Sequence, residues 1–171
     1  MAIEPIFNAL QIAQRVEELG REIRAAAGDE EVFLLGLLKG AAVFTADLLR
    51  AIDGEVRYSF IDVFRDEVDT ETAAAIEIDF ISHTDIRGRN VFVAKDVVST
   101  GVIETYLLAQ LRSHAPKSLR LVALIDRPEL RTVDLRTDFR AFELSGGAFA
   151  GYGLEIDGHY GNLPFIGRTA K

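Results

Sequence analysis

The segment Val91–Gly101 (VFVAKDVVSTG) carries the residues best suited to bind a charged ligand. An apolar run typical of a buried strand leads into a turn of small residues, and an amphipathic segment follows at once. The first amides of a helix have no partner within the helix and lie at its positive end. Ser99, Thr100 and Gly101 could therefore bind a phosphate group through backbone amides and hydroxyls. Asp96 could hold sugar hydroxyls or a magnesium ion. The alternative is an ordinary helix start, with Ser99 as N-cap and Asp96 capping or solvated.

Strands and helices alternate along the chain in a way that predicts an α/β fold with a largely parallel sheet. The predicted helices are Phe7–Ala27, Ala41–Ile52 and Gly101–Ser113, and the first has its apolar face at Leu10, Ala13, Val16, Leu19 and Ile23. The predicted strands are Val32–Leu37, Val56–Phe60, Ile76–Phe80, Val91–Ala94, Leu119–Ile125 and Phe139–Leu144. Because parallel sheets bind ligands at the carboxyl ends of their strands, the expected site comprises the loops Leu38–Gly40, Lys95–Gly101 and Asp126–Pro128.

The composition excludes several classes of function. The chain has 171 residues, which fits one domain, and its net charge of −8 argues against nonspecific nucleic-acid binding. It has no cysteine, which excludes disulfides, thiol catalysis and thiolate metal sites. No apolar run approaches the ~20 residues of a membrane helix, and no signal peptide is visible. We therefore expect a soluble, cytoplasmic protein without membrane or nucleic-acid partners, in which the three scattered histidines lie on the surface.

Three segments resemble the type I phosphoribosyltransferases, and the whole chain is similar to their hypoxanthine/guanine branch. In order, they are Gly36–Leu48, Asp96–Gly101, and Gly151–Leu154 followed by Asn162–Gly167. The resemblance implies a mainly parallel sheet flanked by helices, with a small hood from the C-terminal segment, in one domain of residues 1–171. It also implies a mobile loop at about 65–73, where the sequence is acidic, and a base-binding hood at about 127–171. The expected ligands are phosphoribosyl pyrophosphate, a purine base and Mg²⁺, and the expected assembly is a homodimer or homotetramer.

The same resemblance assigns residues to each part of the ligand. The pyrophosphate loop falls on Leu38, Lys39 and Gly40, where the family often has a cis peptide that exposes a backbone amide. The 5′-phosphate is expected on Ser99, Thr100, Gly101, Val102 and Ile103, and the sugar diol on Lys95 and Asp96. The purine is expected on Arg127 (in place of the usual lysine), on Ala148 or Phe149, and on Glu155, which with Asp96 is the candidate metal ligand. From the residues alone, Lys39 could be a solvated lysine, Arg127 a surface arginine and Phe149 a core residue.

The departures from the family pattern fall on the reaction itself. The turn usually carries two adjacent acids, but here the first is Lys95, which leaves Asp96 as the catalytic acid. Ser99 replaces the acid expected to take the purine proton, and general acid–base catalysis contributes about 10²–10⁴ in rate. The other departures are Ile103 for threonine, Arg65-Asp66 for Ser-Tyr, the longer acid Glu155, and Gly161 for arginine. Lys95 could repel magnesium and bind phosphate oxygens directly, which fits a nucleotide with extra phosphate. Alternatively, it could pair with a nearby carboxylate.

Three functions remain open at this point. The chain could be an active purine phosphoribosyltransferase. It could instead be a catalytically impaired relative that binds a nucleotide or nucleobase as a sensor, regulator or subunit, because the scaffold segments are kept while the general base is not. It could finally be an assembly partner that uses the apolar surface of its first helices for dimerisation.

Overall fold

The computed structural model describes residues 2–65, 76–79 and 85–169. In chain order the elements are β1 Ile3–Phe7, α1 Ala9–Ala27, β2 Val32–Leu37, α2 Ala42–Ala51, β3 Val56–Arg65, β4 Ile76–Asp79, β5 Asn90–Val98, α3 Val102–Ser113, β6 Ser118–Asp126, a 3₁₀ turn Pro128–Leu130, β7 Phe139–Glu143, β8 Phe149–Ala150 and β9 Ile166–Thr169. Of the loop expected at 65–73, Arg65 ends β3 and the rest lies outside the described residues.

Five parallel strands form the centre of the described structure. The large sheet has the strand order β4-β3-β2-β5-β6-β7, and β4 at its edge runs antiparallel to β3. The central strand β2 pairs in parallel with both β3 and β5, so that Val32 lies opposite Val56 on one side and Asn90 on the other. The predicted α/β fold with a mainly parallel sheet is confirmed. Among the helices described, none is long and apolar enough to cross a membrane.

The large sheet buries both of its faces, as the continuous apolar run of β2 predicts. All six residues of β2 are buried. Val32 and Leu34 belong to the core cluster that includes residues of α1 and α2, whereas Phe33, Leu35 and Leu37 belong to the cluster that includes residues of α3. Burying a side chain of this kind contributes roughly 1.5–3 kcal/mol relative to exposure. The two layers therefore hold the carboxyl ends of the central strands in fixed positions.

The N-terminal segment differs from the prediction. Phe7 is not helical, because Ile3–Phe7 forms β1, which pairs antiparallel with β9 in a small sheet of order β1-β9-β8. α1 begins after Asn8, whose side chain accepts a hydrogen bond from the Gln11 amide at 2.9 Å. The Gln11 side chain accepts one from the Asn8 amide at 3.0 Å, which completes a capping box. The small sheet therefore takes a strand from the N-terminus as well as from the C-terminal segment.

The buried face of α1 is rotated from the predicted one. The buried residues are Ile12, Val16, Leu19, Gly20, Ile23 and Ala27. The prediction was wrong for Ala13 and for Leu10, which is 77% exposed. The face is set by the neighbouring helix, because a Cβ on Gly20 would lie 2.3 Å from the Ala51 carbonyl oxygen in α2. This close approach of the two backbones turns the glycine, rather than Leu10, toward the protein interior.

β5 extends four residues beyond its predicted end at Ala94. Polar residues interrupt the apolar pattern there, but β6 continues alongside, with Lys95 opposite Ala123 and Val98 opposite Asp126. Lys95 therefore lies on a strand rather than in the loop where it was predicted. The expected loop begins only after Val98.

Tyr152 connects the C-terminal segment to α2. The residue is 8% exposed, and its hydroxyl donates to Asp47 Oδ2 at 2.6 Å. Burial raises the pKa of the Tyr152 phenol above its usual value of about 10, and the hydrogen bond and charge of Asp47 raise it further. The contact also places the next residue, Gly153, beside Gly40, whose carbonyl oxygen would lie 2.8 Å from a Cβ on Gly153.

We expect Tyr152 to make the stability depend on pH in alkaline solution. Because its pKa is raised in the folded state, its contribution is complete below about pH 10 and is lost as the pH rises above that value. Above about pH 10, the free energy of unfolding should fall more steeply in the unsubstituted chain than in Tyr152→Phe, by up to about 1.4 kcal/mol per pH unit. Urea denaturation at a series of pH values measures both slopes.

The matched control for this substitution is Tyr58→Phe, because Tyr58 is 56% exposed. Its removal should leave the alkaline slope as steep as in the unsubstituted chain. Identical slopes for the unsubstituted chain and Tyr152→Phe would contradict the expectation.

Candidate functional site

The carboxyl ends of β2, β5 and β6 bring three loops together, as the sequence predicts. Val98 at the end of β5 lies opposite Asp126 at the end of β6, and the Arg127 amide donates to the Val98 carbonyl at 2.9 Å. In the loop after β2, a Cβ on Gly40 would lie 1.9 Å from Asp96 Oδ2. The loops after β2 and β6 therefore both contact the end of β5, from which the third loop begins, at one edge of the sheet.

The loop after β2 places a cation at this edge. Its Leu38–Lys39 peptide bond is cis, as the resemblance implies. The Lys39 side chain is 75% exposed, and its ammonium pairs with Glu155 Oε2 at 2.6 Å. Gly40 follows directly and leaves no space for a side chain, because the Asp96 carboxylate occupies that position. The lysine is therefore solvated, as one alternative had it, and it also has a carboxylate partner from the C-terminal segment.

Lys95 and Asp96, adjacent on β5, form an ion pair. Their side chains are 21% and 22% exposed. Asp96 Oδ1 also accepts a hydrogen bond from the Val97 amide at 2.8 Å, while Oδ2 faces Gly40. Of the two alternatives for Lys95, the structure shows the second, in which the lysine pairs with a nearby carboxylate, that of Asp96. Two donors on one oxygen hold the Asp96 carboxylate in place against the loop after β2.

The turn after β5 ends in the glycine that caps α3. Gly101 has a φ of 83°, in the left-handed region, and its carbonyl accepts the Thr105 amide at 2.9 Å. The N-cap is therefore Gly101 and not Ser99, contrary to the ordinary-cap alternative. Within the described part of the chain, the amides of Ile103 and Glu104 donate to no acceptor. The helix start therefore offers unpaired donors at its positive end, as anion binding requires.

The segment after the 3₁₀ turn covers the opposite side of this turn. Arg131 Nη1 donates to the Ser99 carbonyl at 2.5 Å, and the Thr132 amide donates to the Thr100 carbonyl at 3.0 Å. The side chains within about 3 Å of a Cβ placed on Gly101 are those of Arg131, Val133 and Leu135. Sequence analysis missed Arg131, because its contact with Ser99 depends on the fold of the loop and leaves no local pattern.

The side chains expected near the base are only partly arranged as predicted. Arg127 is 15% exposed, so it is not a surface arginine. Its Nη1 donates to the Gly147 carbonyl at 3.3 Å, and its Cζ lies 5.5 Å from the Phe149 ring centroid, as does the Cζ of Arg168. Phe149 is 7% exposed and belongs to the core, whereas the neighbouring Ala148 is exposed. The core alternative for Phe149 is confirmed, and the exposed position has no ring for stacking.

Two departures from the family pattern pack against each other. A Cβ on Gly161 would lie 3.0 Å from Glu155 Cγ. The absence of a side chain at 161 therefore gives the longer acid its space, and Glu155 uses it to reach Lys39.

The expected metal ligands do not form a metal cluster. Among the described residues, no group of three or more His, Cys, Asp and Glu could hold a metal ion. Asp96 and Glu155 are instead each paired with a lysine. His114 and His159 are exposed, as expected, and His83 lies outside the described residues.

The comparisons with known proteins agree with this geometry. The phosphoribosyl transferase domain model matches residues 3–157. The chain is 34% identical over 162 residues to the hypoxanthine-guanine phosphoribosyltransferase of Bacillus subtilis, covering 95% of this chain and 90% of that protein. It is 33% identical over 168 residues to the Mycobacterium avium enzyme of the same name, covering 95% and 83%. A crystal structure of a Bacillus anthracis hypoxanthine-guanine phosphoribosyltransferase superposes with a TM-score of 0.90 at 32% identity, covering 99% of this chain and all of that one.

The chain therefore belongs to the type I phosphoribosyltransferase family. Within that family, these relatives place it in the hypoxanthine/guanine branch.

We expect inorganic phosphate to bind at the start of α3. In an NMR titration, phosphate should shift the amide resonances of Thr100–Ile103 in a saturable way. Gly101→Ala should weaken this binding at least about 10-fold. A left-handed conformation costs a residue with a Cβ about 1–2 kcal/mol, and the new methyl group would press on Arg131.

Gly88→Ala is the matched control for this substitution. Gly88 also has a positive φ, of 69°, but nothing lies within 4 Å of its Cβ position. This variant should bear the conformational cost and still bind phosphate as the unsubstituted chain does. Equal phosphate affinity of the two variants would contradict the assignment of the turn.

Proposed function

We propose that the chain is a purine phosphoribosyltransferase, which transfers phosphoribose from phosphoribosyl pyrophosphate to hypoxanthine or guanine in nucleotide salvage. The observation that carries the proposal is the arrangement of three loops around the end of β5 at one sheet edge: the loop of Lys39, which contacts Asp96, the turn Ser99–Gly101, and the loop of Arg127, which is bonded to Val98. The relatives named hypoxanthine-guanine phosphoribosyltransferase, at 34% and 33% identity, support the same reaction.

Each loop is assigned one part of the substrates. Leu38–Gly40 binds the pyrophosphate, Ser99–Ile103 the 5′-phosphate, Asp96 the sugar hydroxyls and Arg127 the purine. The segment 127–171 is assigned to the base-binding hood. The protein acts in the cytoplasm as a single-domain chain that forms a homodimer or homotetramer, which light scattering measures.

The transfer exchanges one bond at the sugar. The bond from ribose C1 to the pyrophosphate oxygen breaks, a bond from C1 to a purine ring nitrogen forms, and that nitrogen loses its proton. The sugar becomes positive in the transition state while negative charge grows on the pyrophosphate, so correctly aligned positive groups supply much of the acceleration. Lys39 and the backbone amides of the turn are the groups that the proposal assigns to the two ends of such a substrate.

No carboxylate stands at the position where the family has the acid that accepts the proton of the purine. Ser99 stands there, and its carbonyl accepts from Arg131. A hydroxyl does not take a proton at neutral pH, so the proton passes to solvent. A missing general base lowers the rate by about 10²–10⁴, and we expect slow turnover.

The side chains assigned to Mg²⁺ fit this ion poorly. Mg²⁺ binds through one or two carboxylates together with water and substrate oxygens. Asp96 Oδ1 already accepts from Lys95 and from the Val97 amide, and Glu155 Oε2 is paired with Lys39. A lysine beside each acid opposes a divalent cation electrostatically. No step of the proposed transfer is therefore assigned to Mg²⁺ held by these residues.

The transferase assay follows nucleotide formation by absorbance with phosphoribosyl pyrophosphate and hypoxanthine or guanine. The unsubstituted chain should turn over slowly. The double substitution Lys95→Glu with Ser99→Asp should raise kcat by about 10²-fold or more, because it supplies a proton acceptor and a second acid at the sugar.

The control for the double substitution makes the same charge changes away from the site, with Lys117→Glu and Ser113→Asp. Lys117 pairs with Glu30, and Ser113 is exposed at the end of α3. This variant should match the unsubstituted chain. If neither the unsubstituted chain nor Lys95→Glu/Ser99→Asp turns over while both are folded, the transferase proposal is overturned.

A second candidate function is a catalytically impaired relative that binds a nucleotide as a sensor, regulator or subunit. The ion pair of Lys95 with Asp96 and the serine at 99 favour it, because both remove chemistry while leaving the phosphate-binding backbone in place. For this function, calorimetry should give the same Kd for GMP, within about 2-fold, in EDTA and in excess Mg²⁺.

The transferase assay separates this candidate from the first, because only the first turns over phosphoribosyl pyrophosphate. GMP binding that requires Mg²⁺ would contradict the impaired-relative function. The absence of GMP binding in both solutions would overturn both candidates and leave the assembly role of the first helices.

A further inference from the structure

The Arg131 side chain connects the phosphate turn to the loop that carries Arg127. Its Nη1 donates to the Ser99 carbonyl at 2.5 Å. Its Nη2 pairs with Asp126 and lies 3.5 Å from Thr137 Oγ1. The side chains of Arg131 and Asp126 are 12% and 5% exposed, so the ion pair is nearly buried. A buried guanidinium that donates to two acceptors has a fixed position, because its planar group matches several acceptors at once.

When the orientation of a backbone carbonyl is fixed, the orientation of the next residue's amide is fixed as well. A peptide unit is planar and trans, so its N–H points away from its C=O. Arg131 holds the Ser99 carbonyl on the covered side of the turn, and this aims the Thr100 amide to the other side. The Thr132 amide holds the Thr100 carbonyl at 3.0 Å in the same way, which aims the Gly101 amide. The orientation of the Thr100 and Gly101 amides therefore depends on the segment Arg131–Thr132.

The same loop also positions the residue assigned to the base. The Arg127 amide donates to the Val98 carbonyl at 2.9 Å, and a 3₁₀ turn leads from there to Arg131, whose amide donates to the Pro128 carbonyl at 3.1 Å. The ion pair with Asp126, the residue before Arg127, closes this loop. The distance between Arg127 and the turn Ser99–Gly101 is thereby set by one short segment with its own internal hydrogen bonds.

We infer that Arg131 is a positioning residue: together with the amide of Thr132, it orients the Thr100 and Gly101 amides toward the 5′-phosphate of the nucleotide. The inference rests on the proposed nucleotide site. Arg131 itself does not touch the reacting atoms; it acts through the carbonyl of Ser99 and by packing its side chain against Gly101.

The test compares GMP with guanosine, which lacks only the phosphate, by calorimetry. Arg131→Met alone would leave Asp126 buried without its partner, which destabilises the fold. The test variant is therefore Arg131→Met with Asp126→Asn, which removes the donor and the buried charge together. Its affinity for GMP should fall about 10-fold or more, with guanosine affinity changed less than about 2-fold. Arg131→Lys, which keeps one cationic donor, should recover part of the loss.

A second measurement needs no ligand. Hydrogen exchange of the Thr132 amide, which donates to the Thr100 carbonyl, should be about 10-fold faster in the double variant than in the unsubstituted chain, because Arg131 no longer holds this segment against the turn. The control is Arg15→Met, since Arg15 also donates to two backbone carbonyls, of Arg140 at 2.7 Å and Ala141 at 3.0 Å, but on α1. This control should lose stability without changing GMP affinity or exchange at Thr132.

The outcomes distinguish this inference from the proposed function. Equal losses for GMP and guanosine, or unchanged exchange at Thr132, would overturn the positioning role while leaving the nucleotide site intact. If the unsubstituted chain binds no GMP, the proposed function fails and the inference with it. A loss confined to GMP together with faster exchange at Thr132 supports the inference.

Discussion

The unpaired backbone amides at the start of α3 are the feature on which the rest of the site depends. Unpaired amides bind an anion only when they point toward it, so the surroundings have to hold the turn in one orientation. Here a glycine with a φ of 83° turns the chain, and the carbonyls of Ser99 and Thr100 are bonded on the opposite side. The parallel strands then bring the loops of Lys39 and Arg127 to the same edge.

The charges at this edge are balanced before any ligand arrives. The chain as a whole carries −8, yet the two lysines of the site each face one carboxylate, Glu155 and Asp96. The pair of Lys39 with Glu155 is largely exposed, and such pairs contribute only about 0–1 kcal/mol, so a phosphate can readily take the place of the carboxylate. The pair of Lys95 with Asp96 is mostly shielded from solvent. The Lys39–Glu155 pair is therefore suited to exchange its carboxylate for a ligand, whereas the Lys95–Asp96 pair is suited to remain intact.

The sequence could predict the elements that are governed by local pattern. The buried strands β2 and β6, the turn at Ser99–Gly101 and the meeting of three loops all follow from apolar runs and from the geometry of parallel sheets. It could not predict β1, because pairing with β9 joins the two ends of the chain, and Pro5 interrupts the strand pattern. It also missed Arg131, whose partners are fixed by the tertiary fold. Contacts between distant segments leave no signal in a single sequence, even when they orient the site.

Three departures from the family pattern lie against residues that fit them. Lys95 pairs with Asp96, the longer Glu155 lies against Gly161, and Arg127 lies beside the Phe149 ring. Each of these three residues has a neighbour whose size or charge fits it. Restoring the family's arginine at 161 would place its Cβ 3.0 Å from Glu155 Cγ, so that substitution would also require Glu155 to move. The altered site is internally consistent, which is what a site adapted to bind a ligand requires.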